Sequence, residues 1–248
     1  MADRAPLGRR LLAEFLGTGL LVAVVIGSGI AAQRLSPDDT GLQLLQNSIT
    51  TVLGLGVLIV VLGPVSGAHF NPVVSGVDWL LGRRAGTGLS GRDTASYCGA
   101  QILGGVGGAV LANLMFALPP VSISSTARNS PNLWLGEVVA TAGLIVTIWA
   151  LARTGRVGLV AAGVASWIGA AYWFTSSTSF ANPAVTVARM FSDTFAGISP
   201  SSVPGFVVAQ ILGAGVGALL VIALYPDAPR IADDVVVAHP APVRQETT

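Results

Sequence analysis

Three segments of this chain occur twice, in the same order, and that repetition limits the possible folds more than any other feature. AEFLGTGLLV at 13–22 corresponds to GEVVATAGLIV at 136–146, HFNPVV at 69–74 to FANPAV at 180–185, and AQILGGVGGA at 100–109 to AQILGAGVGA at 209–218. Glu14 thereby matches Glu137, Asn71 matches Asn182 and Gln101 matches Gln210, at spacings of 123, 111 and 109 residues. One unit is used twice with different loop lengths. Apolar stretches lie near 11–33, 44–63, 97–118, 134–152, 157–176 and 204–225, three to each half. Each is close to the roughly 20 residues that cross a bilayer as a helix. An odd number of crossings per half makes the two halves enter the membrane from opposite sides. This is an inverted repeat, a plan that places a functional site near the midplane.

Composition agrees with lipid as the main solvent. Charged residues are 10% of the chain and hydrophobic ones 52%, with mean hydropathy +0.72, against roughly 25% charged residues in a soluble domain. The Gly-rich runs 101–110 and 210–219 read as faces where helices approach closely in lipid. Net charge of +1 offers no basic field for nucleic acid. With the N-terminus inside, Arg4, Arg9, Arg10, Arg83, Arg84, Arg92, Arg153, Arg156, Arg230 and Arg244 fall on the cytoplasmic side, against Arg34, Arg128 and Arg189 outside. That bias predicts two cytoplasmic termini and a multi-pass protein of the inner (plasma) membrane. The N-terminal MADRAPLGRR shows no signal-peptide cleavage pattern, so the first apolar run reads as a retained span. Cys98 is the lone cysteine and reads as a packing residue.

The fold class expected is an all-α membrane protein with six transmembrane helices and two re-entrant half-helices. Residues 1–10 form the cytoplasmic N-terminus, 11–118 the first repeat, 119–133 an outer connecting loop and 134–225 the second repeat. A polar, disordered tail fills 226–248.

Asn71-Pro72 and Asn182-Pro183 fall in stretches near 71–80 and 182–191 that are too short to span. Asn is a preferred N-cap and Pro fits the first helical position, so each pair starts a short half-helix. In an inverted repeat these half-helices meet N-terminus to N-terminus near the bilayer centre. Each Asn then caps with its side-chain oxygen and turns amide N–H groups toward a cavity, because non-helical backbone at that depth lines water or lies buried. Backbone carbonyls of 64–70 and 175–181 complete the polar lining. Two positive helix ends at one point disfavour cations and interrupt proton conduction. The chemistry is that of a narrow passage for small uncharged solutes such as water.

Glu14 and Glu137 lie inside spans, where a carboxylate is expensive and needs partners. Their symmetric recurrence, with no second carboxylate beside either, argues against the proton-coupling group of a secondary carrier. His69 reads as a brace for its loop. No nucleophile–base set, metal-ligand cluster or phosphate loop is present, so neither an enzyme nor a bound cofactor or metal is expected.

The motifs AEFLGT, SGAHFNPVV, AQILGG and FANPAV, with the second Glu at 137, resemble the major intrinsic protein family of aquaporins and aquaglyceroporins over about residues 8–225. The resemblance implies that family's fold, a homotetramer, and Glu14 and Glu137 accepting hydrogen bonds from the Asn-Pro loops, with Gln101 and Gln210 in support. It also implies a narrow filter at four positions: 20 residues before the first Asn, and 12 before, three before and three after the second. By that count the filter is Thr51, Ala170, Ser179 and Val185, with neither the aromatic side chain nor the Arg of water-selective members. A wide filter without Arg is expected to pass glycerol, urea and neutral metalloid hydroxides. NPAVTVAR…DTFAGI is similar to a bacterial branch linked to arsenite permeation. Arg189 lies one turn beyond Val185; it either replaces the lost charge in part or, as favoured here, pairs with Asp193. Val73 stands where the family usually has Ala.

Overall fold

The computed structural model describes residues 5–83 and 86–226. Arg4, Arg84, Arg230, Arg244 and the tail from residue 227 lie outside the described residues. Within them the chain is helical, with no strand: α1 Leu7–Leu35, α2 Thr40–Ser66, α3 Pro72–Gly82, α4 Gly91–Met115, α5 Pro131–Arg153, α6 Val160–Phe174, α7 Pro183–Arg189 and α8 Val203–Leu224. A 3₁₀ turn, Val157–Leu159, leads into α6. Six of these segments are long and apolar enough to cross a bilayer, and α3 and α7 are the two short ones.

Local chemistry sets the boundaries. Asp39 and Ser90 cap α2 and α4 by accepting from Leu42 N (2.8 Å) and Asp93 N (3.0 Å). Pro64 falls in the last turn of α2, which ends two residues later at Ser66 and is capped by Gly67 in the left-handed conformation (φ 92°). The connecting segment, 116–130, lies three residues earlier than expected, because α4 ends at Met115 and Pro131 takes the first position of α5. α7 stops at Arg189, two residues before the expected end.

Close helix packing carries the repeat into three dimensions. A Cβ on Gly104 would come within 2.1 Å of Phe15 O, and one on Gly108 within 2.0 Å of Gly19 O, so α1 and α4 touch backbone to backbone. Their counterparts do the same between α5 and α8: Gly213 faces Val138 O at 2.5 Å and Gly217 faces Ala142 O at 2.7 Å. These approaches give dispersion contacts that lipid cannot match. Elsewhere the helices turn apolar side chains outward; Leu53, Val57, Val60 and Val61 of α2 are all more than 60% exposed, as lipid-facing residues are.

The core between the helices surrounds the two short ones. α2 and α6 pair across the molecule in the same register, 109 residues apart. Gly54 of α2 sits against Val24 of α1, and Gly163 of α6 against Leu151 and Thr147 of α5, where Thr147 is the repeat mate of Val24.

Candidate functional site

Each half-helix starts from an unusual backbone. Ala68 and Phe70 before α3, and Ser179 and Ala181 before α7, all have φ between 48° and 50°. Left-handed residues other than Gly cost about 1–2 kcal/mol each, so these segments hold only because their surroundings fix them. Buried carboxylates do much of that. Glu14 accepts from His69 N (3.0 Å), Phe70 N (2.7 Å), Ser66 Oγ (2.6 Å) and Gln101 Nε2 (2.7 Å). Glu137 accepts from Phe180 N (2.8 Å), Ala181 N (2.8 Å) and Gln210 Nε2 (2.6 Å). The two Gln amides also donate to Ser75 Oγ (3.0 Å) and Thr186 Oγ1 (2.8 Å), one turn into each half-helix. Both carboxylates are consumed by loop N–H groups and amides. This is an anchoring role.

The Asn side chains join the two halves. Asn71 Oδ1 caps α3 through Val73 N (3.1 Å), and Asn182 Oδ1 caps α7 through Ala184 N and Val185 N (3.0 and 3.3 Å). Each Nδ2 then reaches across to the carbonyl preceding the other Asn: Asn71 to Ala181 O (2.8 Å) and Asn182 to Phe70 O (2.7 Å). The half-helix N-termini therefore meet within hydrogen-bond reach. One N–H of each amide is spent on this reciprocal link, which leaves one per Asn for a solute. The link was not foreseen from the motif alone.

A narrow cavity of about 70 Å³ runs past this junction. A water needs roughly 10–15 Å³ of such space, so the passage holds a short file of small molecules. Its walls follow the repeat. The helices contribute Leu21 with Leu144, Val25 with Ile148, Thr51 with Val160, Leu55 with Val164, and Ile59 with Ile168. The loops and half-helices contribute Ala68 with Ser179, His69 with Phe180, Phe70 with Ala181, Asn71 with Asn182, and Val74 with Val185. Tyr172 and Arg189 complete the lining and belong to no lining pair. Behind the walls, the His69–Tyr97 edge-on pair (5.5 Å) has its counterpart in Phe180–Phe206 (5.0 Å).

Thr51, Ser179 and Val185 line the passage as expected by position, but Ala170 does not. It is exposed on the outer face of α6 and absent from the walls. Tyr172 is there instead, its hydroxyl 3.3 Å from Thr51 Oγ1. Counting back twelve residues from Asn182 assumes a longer link between α6 and the loop than this chain has. Two residues rotate a helix position by about 200°, which carries Ala170 from the passage to the opposite face. The i+4 series Val160, Val164, Ile168, Tyr172 was the available signal.

The favoured pairing of Arg189 with Asp193 is also overturned. Asp193 Oδ1 accepts from Ser125 N and Oγ (2.9 and 3.1 Å). Arg189 is buried along the passage, donates from Nε to Ala196 O, and lies 3.4 Å above the centre of the Phe180 ring. Arg128 approaches the same ring at 5.1 Å and donates to Gly197 O (3.2 Å). His69 Nδ1 is 3.0 Å from Ser75 Oγ, which ties it to α3.

The family model described as Major intrinsic protein matches residues 1–175. The chain belongs to the major intrinsic protein family. The match takes in the first Asn-Pro segment, and the internal repeat carries the same geometry to the second. An aquaglyceroporin of Rhizobium meliloti is 53% identical over 84% of this chain and 86% of its own length. The glycerol uptake facilitator protein of Pseudomonas aeruginosa is 31% identical over 84% of the chain and 85% of its own. Among solved structures, the aquaglyceroporin from Plasmodium falciparum aligns with a TM-score of 0.68 over 90% of this chain and 99% of its own, at 18% identity, which supports the fold. As a member of this family the chain is a multi-pass membrane channel for small solutes, and no enzyme.

Proposed function

We propose that the channel passively conducts small uncharged solutes: water, glycerol-like polyols and neutral metalloid hydroxides such as arsenous acid. The observation that carries this reading is the character of the wall. Arg189 is the one lining side chain that carries a fixed charge, and polar groups cluster at Asn71 with Asn182 and at Thr51, Tyr172 and Ser179 between apolar stretches. Such a surface replaces the hydration of a hydroxylated molecule at a few points and offers an ion nothing in exchange for its water shell. The 53% identical relative named an aquaglyceroporin points the same way. The metalloid part rests on the resemblance of the second Asn-Pro segment to the arsenite-linked branch.

Tyr172 supports a second reading, a passage restricted to water, because it puts an aromatic ring where four small side chains were expected. Stopped-flow light scattering on proteoliposomes separates the two readings and excludes a carrier. Glycerol flux that does not saturate, ignores ion gradients and has a low activation energy supports the channel for larger solutes; water flux alone supports the narrower one. Val185→Arg is expected to cut glycerol and arsenite flux while sparing water. Equal loss of every flux, or none, counts against Val185 as part of the filter. We place the Arg189 end outside, both termini in the cytoplasm and the chain in the inner membrane from the arginine bias, and take the assembly to be the family's homotetramer.

A further inference from the structure

We propose that Tyr172 and Arg189 are the specificity-determining residues of this passage, a role that rests on the channel reading above. Inverted duplication places lining residues at matching positions on both sides of the Asn pair, and here ten repeat-related pairs do so. Where the members of a pair differ, Thr51 against Val160 and Ser179 against Ala68, the hydroxyls fall at the Tyr172 end. Tyr172 and Arg189 break the symmetry, and both do so at the same end. The repeat mate of Tyr172 is Gly63, which offers no side chain. The mate of Arg189 is Asp78, whose Oδ2 turns away to accept from Leu89 N at 2.7 Å.

Both side chains are held ready. Tyr172 is 3% exposed, with its hydroxyl beside Thr51 Oγ1, so the ring is a fixed wall. Arg189 is pinned by Ala196 O and the Phe180 ring, and its two terminal amino groups have no protein acceptor among the described residues. Ser179 Oγ, also on this wall and buried, has no hydrogen-bond partner either. A solute hydroxyl can donate to Ser179 and accept from Arg189, with the phenol setting the width. Arg189 stands one helical turn, about 6 Å, farther along α7 than Val185. Cation rejection is thus moved along the half-helix, reinforced by Arg128 on the same aromatic ring, while Val185 leaves the level below it apolar.

The test compares permeability ratios in proteoliposomes for glycerol, the larger polyols erythritol and ribitol, and the cation methylammonium. Tyr172→Ala is expected to raise the ribitol-to-glycerol ratio on the order of tenfold, and Tyr172→Phe to leave it within about twofold. Arg189→Leu is expected to open a methylammonium leak at least about tenfold above wild type, with Arg189→Lys restoring rejection. Where Arg189→Leu does not reach the bilayer, Arg189→Gln, which keeps a donor for Ala196 O, takes its place with the same expected leak. Val160→Thr, which copies Thr51 onto the other end, should change rates without moving either ratio. Variants that conduct glycerol with wild-type ratios and no cation leak overturn the proposal. Absence of any solute flux in the wild type overturns the channel reading instead, so the two failures are distinguishable.

Discussion

Glu137→Gln tests how the second Asn-Pro loop is held. The carboxylate accepts three hydrogen bonds, from Phe180 N, Ala181 N and Gln210 Nε2, each between 2.6 and 2.8 Å. An amide of the same shape offers one acceptor and one donor. The Gln210 contact is recoverable, because Gln210 Oε1 has no partner among the described residues and a flipped amide can accept from the new Nε2. The loop N–H groups cannot adapt, so one of them faces a donor. A buried donor left unsatisfied costs about 1–3 kcal/mol, and the retained bond loses about 1 kcal/mol of charge assistance. The sum, roughly 3 kcal/mol, corresponds to a melting shift on the order of 6–12 °C for a chain of this size. Thermal unfolding of detergent-purified protein, followed by size-exclusion recovery, reads it out. Glu137→Leu, which removes all three acceptors, should fall further still. A melting point within about 1 °C of wild type for Glu137→Gln would refute the reasoning, since it would mean the loop conformation stands without the carboxylate.

Three further outcomes are expected. Gly108→Ala forces a Cβ to 2.0 Å from Gly19 O; with backbone on both sides it should cost at least about 1–3 kcal/mol, seen as reduced yield and a lower melting temperature, whereas Gly107→Ala, whose nearest neighbour is 4.0 Å away, should be neutral. Ala170→Leu, on the exposed face of α6, should leave glycerol and water flux unchanged in stopped-flow assays; a loss of flux would return that position to the passage. Asn182→Asp removes the donor to Phe70 O and sets a carboxylate at the junction. It should lower glycerol flux and stability together, by roughly 2–4 kcal/mol in a chemical or thermal unfolding assay.

The repeat, the inverted topology, the six spans and the helix starts at Pro72 and Pro183 were readable because each follows from a local rule: apolar length, capping chemistry, or matched segments. The partners of Glu14 and Glu137 came from the family resemblance, which implies both carboxylates accept from the Asn-Pro loops; their recurrence alone said only that the two share a role. What sequence position did not reveal was rotation. Ala170 and Tyr172 are two residues apart, and only the length of the link from α6 to Asn182 decides which one faces the passage. Arg189 was misjudged for a related reason: spacing by four made Asp193 its neighbour, but α7 ends at Arg189. Asp193 therefore lies past the helix, where the i,i+4 rule no longer applies, and it turns to Ser125. The reciprocal Asn-to-carbonyl links depend on two loops 110 and 112 residues apart meeting, which no single segment encodes.

The anchoring network also explains why the asymmetric residues sit where they do. Glu14 and Glu137 hold the loop backbones, and Gln101 and Gln210 tie each carboxylate to a hydroxyl, Ser75 or Thr186, so the same donors and acceptors recur in both halves. The α3 side adds contacts of its own, with Ser66 Oγ donating to Glu14 Oε1 and His69 Nδ1 beside Ser75 Oγ. Freedom to diverge therefore lies with side chains that line the passage or stand farther along a half-helix than its first turn, where neither the carboxylates nor the Gly contacts of α1 with α4 and α5 with α8 depend on them. Gly63 against Tyr172 and Asp78 against Arg189 are substitutions at such positions. The second of them turned one repeat's residue to fastening the backbone at Leu89 and left the other's lining the passage. A duplicated membrane scaffold can thus change what it passes at one end while its central junction stays symmetric.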